Sequence, residues 1–261
     1  MAKFYPLFSS SSANASYIGG RNAGILVDAG ASCKKLLAAL ECNGLQNQCI
    51  QGIFITHTHT DHIKGLRVLL GKLKVPVYAS AQSLEKLIHD GHIPAGIDTI
   101  PIDTGAVSCG DCEITAFPTM HDAPGSVGYR IRTADDKLCA VCTDLGVVTK
   151  EVYDALHGCD MVLLESNYDP VMLRGGAYPP ELKRRIMSEY GHLSNEESAQ
   201  FARDLVGSGT TRLLLGHLSP HNNTPEKAAA AMAEGLREFT SGMDYLLGIA
   251  PVETQGGAVI F

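Results

Sequence analysis

The sequence predicts an α/β fold, and three features of its 261 residues indicate this class. Short apolar runs rich in β-branched residues predict strands. Between them lie segments whose apolar residues recur every three or four positions, as in amphipathic helices, and Gly or Pro stands at most joints. Helices on both faces of two strand-rich halves favour a four-layer αββα sandwich with two mixed sheets, although periodicity alone establishes only the α/β class.

The elements of the first half follow in order along the chain. Strands are predicted over residues 24–28, 50–56 and 76–79. Ser32 is expected to cap a helix that ends at Gly44, and leucines at helical spacing predict a second helix over residues 62–73. Strand, loop, helix and strand therefore form the repeating unit.

The second half begins with a different pattern and then returns to the first. Residues 106–142 alternate with a period of two around turn-like segments at 109–112 and 134–136, which predicts antiparallel hairpins. Ser194 and Glu197 form a predicted capping box. The remaining predicted elements are helices over 149–157, 180–190, 194–206 and from Thr224-Pro225, strands over 161–164 and 212–215, and short terminal strands.

The composition is that of a globular enzyme. Hydrophobic residues make up 45% and charged residues 19%, which excludes disordered, collagen-like and coiled-coil proteins. The length is near the upper limit for one hydrophobic core, so a single domain over residues 1–261 is expected. No apolar run approaches the roughly 18 residues of a membrane span and no signal peptide is apparent, so we expect no membrane association and a cytoplasmic location.

The net charge and the cysteine content indicate how the protein could bind nucleic acid and whether it contains disulfides or a cysteine zinc site. The net charge of -7 repels nucleic acid as a whole, so an anionic substrate would need local cations or metals. The basic clusters at Arg174, at 183–185 and at 64–74 could form a polynucleotide track or equally well be solvated helix faces. The eight cysteines, including the pairs 109/112 and 139/142, are expected to be reduced thiols rather than disulfides or a zinc site.

The chemistry is concentrated in residues 56–62, Thr-His-Thr-His-Thr-Asp-His. A strand ending at Thr56 delivers His57 and His59 to one side of an extended loop, and the start of a helix turns Asp61 and His62 toward them. Imidazole and carboxylate groups suit Zn, Mn or Fe, and four ligands in two pairs suit two metals better than one. The alternative is a solvated, His-rich surface loop.

Three further candidates disfavour that alternative, because each directly follows an apolar run: His121, Asp144 and His217. Strand ends are where layered α/β proteins place their binding groups. Singly, each residue could be a turn residue, a cap or a buried histidine. Together with residues 56–62 they complete two metal sites that share one carboxylate.

The pattern H-x-H-x-D-H at 57–62, with the later His121, Asp144 and His217, resembles the metallo-β-lactamase fold superfamily over nearly the whole chain. That superfamily includes hydrolases of thioesters, lactones, β-lactams and phosphodiesters as well as flavodiiron oxidoreductases, so fold alone does not decide function. Residues 9–14, 26–30, 120–123 and 191–196 are similar to the YycJ/WalJ exonuclease branch, with PhnP-type cyclic phosphodiesterases as near relatives.

The resemblance implies a role for each residue. His57, His59 and His121 would bind the first metal, Asp61, His62 and His217 the second, and Asp144 would bridge the two metals. Asp28 would support the histidine loop without binding metal. Asp61 would also take part in catalysis. His192 would face the scissile phosphate as a general acid or a phosphate donor, although it could instead be a histidine of a helix-capping region.

These roles predict a dinuclear metal-dependent phosphodiesterase in which a metal-bound hydroxide attacks the phosphate. The resemblance implies a 5′→3′ exodeoxyribonuclease acting on DNA, with Mn²⁺ or Zn²⁺ and Fe as a further option. The alternative is a small-molecule hydrolase of a cyclic phosphodiester, lactone or thioester. A third hypothesis is a redox or binding module that holds metal without hydrolysis.

Overall fold

The computed structural model describes residues 2–103 and 105–261 and contains two mixed β-sheets. The first sheet has its strands in chain order: β1 (Lys3–Ser10), β2 (Ala13–Gly19), β3 (Gly24–Val27), β4 (Ile50–Phe54), β5 (Val77–Ala79) and β6 (Thr99–Pro101). Strands β1 to β3 pair antiparallel, whereas β3 to β6 pair parallel.

The second sheet repeats this plan. Its strands also lie in chain order: β7 (Ala106–Cys109), β8 (Cys112–Pro118), β9 (Val127–Thr133), β10 (Leu138–Cys142), β11 (Met161–Glu165), β12 (Arg212–Gly216) and β13 (Leu246–Ile249). Strands β7 to β10 pair antiparallel, as the period of two predicts, and β10 to β13 pair parallel.

Helices connect the strands of both halves. They are α1 (Cys33–Cys42), α2 (Thr60–Ile63), α3 (Leu66–Leu73), α4 (Ala81–His89), α5 (Lys150–Leu156), α6 (Pro170–Gly175), α7 (Pro180–Ile186), α8 (Asn195–Gly207) and α9 (Pro225–Gly235). Ser32 caps α1, and Ser194 with Glu197 forms the predicted capping box of α8. In the described part of the chain, no helix is long and apolar enough to cross a bilayer.

Three hydrophobic clusters order these elements into four layers. One cluster lies between the first sheet and helices such as α1 and α3. A second lies between the second sheet and α5, α8 and α9. The third joins the two sheets face to face and includes Phe54 and Tyr129, whose rings make an edge contact at 5.5 Å. The predicted αββα sandwich with two mixed sheets is therefore confirmed.

The predicted helix over residues 62–73 differs from the structure in one respect. The structure has two helices, α2 and α3, separated at Gly65. A Cβ atom on Gly65 would lie 2.1 Å from the carbonyl oxygen of Ala31, so the chain packs here too closely for a side chain. The leucine pattern predicts the buried face of α3 but carries no signal for this non-local contact.

Gly30 marks a second close approach, between the segment after β3 and the start of α2. A Cβ atom there would lie 1.6 Å from the carbonyl oxygen of Asp61 and 2.6 Å from the backbone nitrogen of Asn14. The Gly30 N–H donates to the Asn14 carbonyl at 2.9 Å. Three segments distant in sequence therefore meet at this residue.

We predict that Gly30→Ala lowers the free energy of unfolding by about 1–3 kcal/mol, because the methyl group forces packed backbone apart. Urea denaturation followed by circular dichroism measures the effect. Gly71→Ala is the matched control, since Gly71 is exposed within α3 and an added Cβ atom would meet nothing beyond the adjoining helix backbone within 4 Å. That control should stabilise the protein by about 0.5–1 kcal/mol. Equal stability of Gly30→Ala and the parent protein would contradict the packing argument.

Candidate metal centre

The structure brings the seven predicted metal ligands together where several strands end. Residues 57–62 follow β4, His121 follows β8, Asp144 follows β10 and His217 follows β12. Potential ligand atoms of His57, His59 and His121 all lie within 4.8 Å of one another, and so do those of Asp61, His62 and His217. His57, His59 and His121 form the first ligand group, and Asp61, His62 and His217 form the second. They coincide with the two sets that the family resemblance implies.

Asp144 lies between the two groups and is 2% exposed. Its Oδ1 atom is 3.7 Å from His121 Nε2 in the first group and 3.6 Å from His217 Nε2 in the second. Its Oδ2 atom is 3.2 Å from His62 Nε2, without the angles of a hydrogen bond. This is the location expected of a carboxylate that bridges two metals.

Three residues of the centre have left-handed backbone conformations. Asp28, Asp144 and His217 have φ values of 62°, 58° and 56°, and they lie just beyond β3, β10 and β12. For residues other than Gly this conformation costs about 1–2 kcal/mol each. Such strain persists where the surrounding contacts impose it, which is common at functional sites. Here it turns the side chains out of their strands and into the cluster.

Asp28 orients the His62 ring, as the resemblance implies. Its Oδ2 atom is 2.8 Å from His62 Nδ1, and its Oδ1 accepts the backbone N–H of Thr56 at 2.9 Å. With Nδ1 paired in this way, Nε2 of His62 is the nitrogen that faces the cluster. Burial lowers the pKa of His62, but the Asp144 and Asp28 carboxylates outweigh it and hold that pKa well above the ordinary value.

Glu165, the last residue of β11, is a further member of the centre that the sequence analysis missed. Its buried Oε1 atom is 2.7 Å from His217 Nδ1 and 2.9 Å from His192 Nδ1. Its Oε2 atom accepts the backbone N–H groups of Leu145 and Leu193 at 3.1 and 3.2 Å. Burial raises the pKa of Glu165, but the two histidines lower it to about 2, so the carboxyl group is ionised at neutral pH.

His192 lies at the opening of the centre, with 19% of its side chain exposed. Its ring centroid is 5.1 Å from that of His121 and 5.2 Å from that of His217. On the same side, Asp122 pairs with Arg185 and its Oδ1 lies 3.5 Å from His59 Nε2. His192 is therefore within reach of a substrate that contacts both ligand groups.

The donor set fits divalent metals. Among the described residues, the buried Nε2 atoms of His57 and His217 have no hydrogen-bond partner. Burial alone would lower the pKa of His217, but the surrounding carboxylates, Asp144 first among them, raise it to about 10. Imidazole nitrogens and carboxylate oxygens gathered around buried negative charge are typical of Zn²⁺ and Mn²⁺ sites.

Fold and site together define a metal-dependent hydrolase, and the chain belongs to the metallo-β-lactamase superfamily. The family model described as "Beta-lactamase superfamily domain" matches residues 24–218. The predicted superfamily is therefore confirmed. The assignment of single residues as metal ligands stays a prediction that the clustering supports.

Individual relatives indicate the branch of the superfamily that the chain resembles. The chain is 37% identical to exodeoxyribonuclease YycJ of Bacillus anthracis, over 92% of this chain and 91% of that protein. It is 35% identical to exodeoxyribonuclease WalJ of Streptococcus pneumoniae, over 92% of this chain and 90% of that protein. Among solved structures, the metallo-β-lactamase fold protein YhfI from Bacillus subtilis is similar in fold, with a TM-score of 0.73, 17% identity and 97% of each chain covered.

We predict that metal affinity rises with pH. The pKa of His217 is raised to about 10, so this ring is an imidazolium at neutral pH in the metal-free protein, and the pKa of His62 is raised by the same kind of carboxylate contact. Metal binding displaces protons from these rings, and each one makes the association constant rise about tenfold per pH unit. Calorimetric titration of the metal-free protein with Zn²⁺ between about pH 6 and 8 measures this slope.

Glu165→Gln provides the comparison for this slope. The variant removes a carboxylate that raises the pKa of His217, so fewer protons are displaced and the slope should be shallower. An affinity that does not change with pH in the parent protein would contradict the assigned charges.

Proposed function

We propose that residues 1–261 act as one dinuclear metal-dependent phosphodiesterase domain that degrades DNA from its 5′ end. The observation that carries the proposal is His192, held by the buried Glu165 carboxylate at the opening between the two ligand groups. The similarity to proteins named exodeoxyribonucleases supports a nucleic acid, and DNA in particular, as the substrate. The 5′→3′ direction stays an expectation from the family resemblance, and the cytoplasmic location stays a prediction from the sequence.

Mn²⁺ or Zn²⁺ held by the two groups and Asp144 would activate a water molecule and neutralise the phosphate charge. The chain itself supplies the rest. Asp144 lies against ligands of both groups, which keeps the groups at a fixed separation. Since the side chain is almost fully buried, this carboxylate is shielded from competing water.

His192 is suited to protonate the leaving oxygen. Because Nδ1 lies 2.9 Å from Glu165, the atom left for the substrate is Nε2. The Glu165 carboxylate fixes the orientation of the ring, so that Nε2 can pass a proton to the leaving oxygen. Hydrolysis of DNA needs this help, since its leaving group is an alkoxide.

Asp61 is suited to hold the attacking water. Its Oδ2 atom is held by the Asn14 amide at 3.2 Å and lies 3.4 Å from His62 Nε2. Burial raises the pKa of Asp61, but the neighbouring His217 and His62 outweigh it and hold the pKa well below the ordinary value. The carboxylate is therefore ionised at neutral pH and can accept a hydrogen bond from the attacking water.

Some cations of the predicted polynucleotide track already have partners within the protein. Lys183 Nζ donates to the carbonyl groups of Arg174 and Gly176, and Arg185 pairs with Asp122. The exposed guanidinium groups of Arg174 and Arg184 are then the remaining cations of this cluster for phosphate contacts. With a net charge of -7, binding of DNA should therefore depend strongly on these cations and on the metals.

Digestion of 5′-phosphorylated single-stranded DNA and matched RNA, by metal-stripped protein reloaded with Mn²⁺ or Zn²⁺, tests the proposal. We predict stepwise release of mononucleotides from DNA. Asp144→Asn should lower the rate about a thousandfold, because it removes the shared charge, whereas the exposed Asp154→Asn should leave it unchanged. Intact polymers with rapid turnover of a cyclic phosphodiester, lactone or thioester would favour the small-molecule alternative instead.

A second prediction isolates His192. His192→Ala should lower the rate on DNA about 10²–10⁴-fold, the usual range for loss of a general acid. The loss should be much smaller for bis(p-nitrophenyl) phosphate, because nitrophenolate leaves without a proton. His89→Ala is the control, since the His89 side chain is 85% exposed on α4. Equal losses on both substrates would show that His192 does not act as the acid.

A further inference from the structure

The tip of the β1–β2 hairpin contacts the second ligand group. The segment over residues 9–14 is not a free loop: Ser9 and Ser10 end β1, Ala13 and Asn14 begin β2, and Ser9 pairs directly with Asn14. Asn14 is 6% exposed. Within the serine-rich tip it is the one side chain with an amide.

The Asn14 amide nitrogen has three polar neighbours. It lies 2.9 Å from the carbonyl oxygen of Ser10, 3.2 Å from Asp61 Oδ2 and 3.0 Å from His62 Nε2. Exchanging the amide oxygen and nitrogen would place an acceptor against the Ser10 carbonyl and the Asp61 carboxylate. The nitrogen therefore faces the centre, and its N–H groups are the donors.

This contact orients two members of the second group at once. The Asn14 amide restrains the His62 ring from the Nε2 side, and Asp28 restrains the same ring from the opposite side through Nδ1. The same amide restrains Asp61 Oδ2. Because an amide nitrogen has no free lone pair, Asn14 restrains both side chains without itself binding metal through that nitrogen.

The third member of the second group is held by the same hairpin. The backbone N–H of His217 donates to Ser9 Oγ at 2.9 Å, and the Gly30 N–H donates to the Asn14 carbonyl. Among the described residues, no hydrogen bond joins the hairpin tip to His57, His59 or His121. The hairpin thus supports one ligand group and not the other.

We propose that Asn14 is a positioning residue for the second metal, and that the β1–β2 hairpin through Asn14 and Ser9 sets the affinity of that site alone. This inference rests on the proposed dinuclear function. Hydrogen-bond partners of metal ligands typically contribute about 10–100-fold to metal affinity. The second site should therefore lose affinity by this factor when the hairpin contacts are removed, while the first site keeps its affinity.

Zn²⁺ titration of metal-free protein by calorimetry tests the inference with Asn14→Leu, which keeps the approximate shape and removes the N–H donors. Asn14→Ala, which adds no bulk, and Ser9→Ala, which removes only the acceptor for the His217 N–H, are measured in parallel. Ser12→Ala in the exposed turn is the control. Circular dichroism and urea unfolding identify any variant that fails to fold, and only folded variants are compared.

The parent protein and Ser12→Ala should bind two Zn²⁺, and the Asn14 and Ser9 variants should show about 10–100-fold weakening of one site only. Equal weakening of both sites, an unchanged titration, or a single site in the parent protein would overturn the inference. The readout needs no substrate, so two intact sites in a protein inert toward phosphodiesters would refute the proposed function and leave the hairpin's role in place.

Discussion

The burial of negative charge at one point between the two sheets is the constraint on which the rest of the site depends. Asp144 is 2% exposed, and its oxygens lie 3.2–3.7 Å from imidazole nitrogens on three different segments. An ionised carboxylate taken out of water costs several kcal/mol unless opposite charge lies beside it. In the metal-free chain protonated histidines supply that charge, and divalent metals can replace those protons. The folded arrangement of the centre and metal binding therefore depend on each other, because either protons or metals must neutralise the buried Asp144 carboxylate.

The architecture explains why the centre forms only when both halves of the chain are packed together. The first half supplies residues 57–62 and the β1–β2 hairpin, and the second half supplies His121, Asp144, His217 and Glu165. Each half has the same order of antiparallel and then parallel strands, and the shared cluster between the sheets brings their strand ends together. Left-handed backbone at Asp28, Asp144 and His217 then turns the side chains toward one another.

Much of this could be predicted from sequence, because the ligands follow a local pattern. His121, Asp144 and His217 each follow an apolar run, and residues 57–62 contain the pattern H-x-H-x-D-H within six positions. Glu165 follows the same kind of run, yet a single Glu after a strand is indistinguishable from a solvated one until His192 and His217 are seen beside it. Asn14 lies 47 positions from Asp61, and no periodicity encodes that contact. At Gly65 the backbone N–H donates to the carbonyl oxygen of Ala29 and not along a helix, and the leucine pattern does not encode that contact either.

The central claim is that two metals share Asp144, and electron paramagnetic resonance of the protein loaded with Mn²⁺ tests it most directly. Two Mn²⁺ ions joined by a carboxylate are magnetically coupled. With two equivalents of Mn²⁺ per chain, the account predicts a coupled-pair spectrum that collapses to signals of isolated ions in Asp144→Asn. Isolated Mn²⁺ signals from the parent protein at every loading would contradict a shared carboxylate and with it the dinuclear centre.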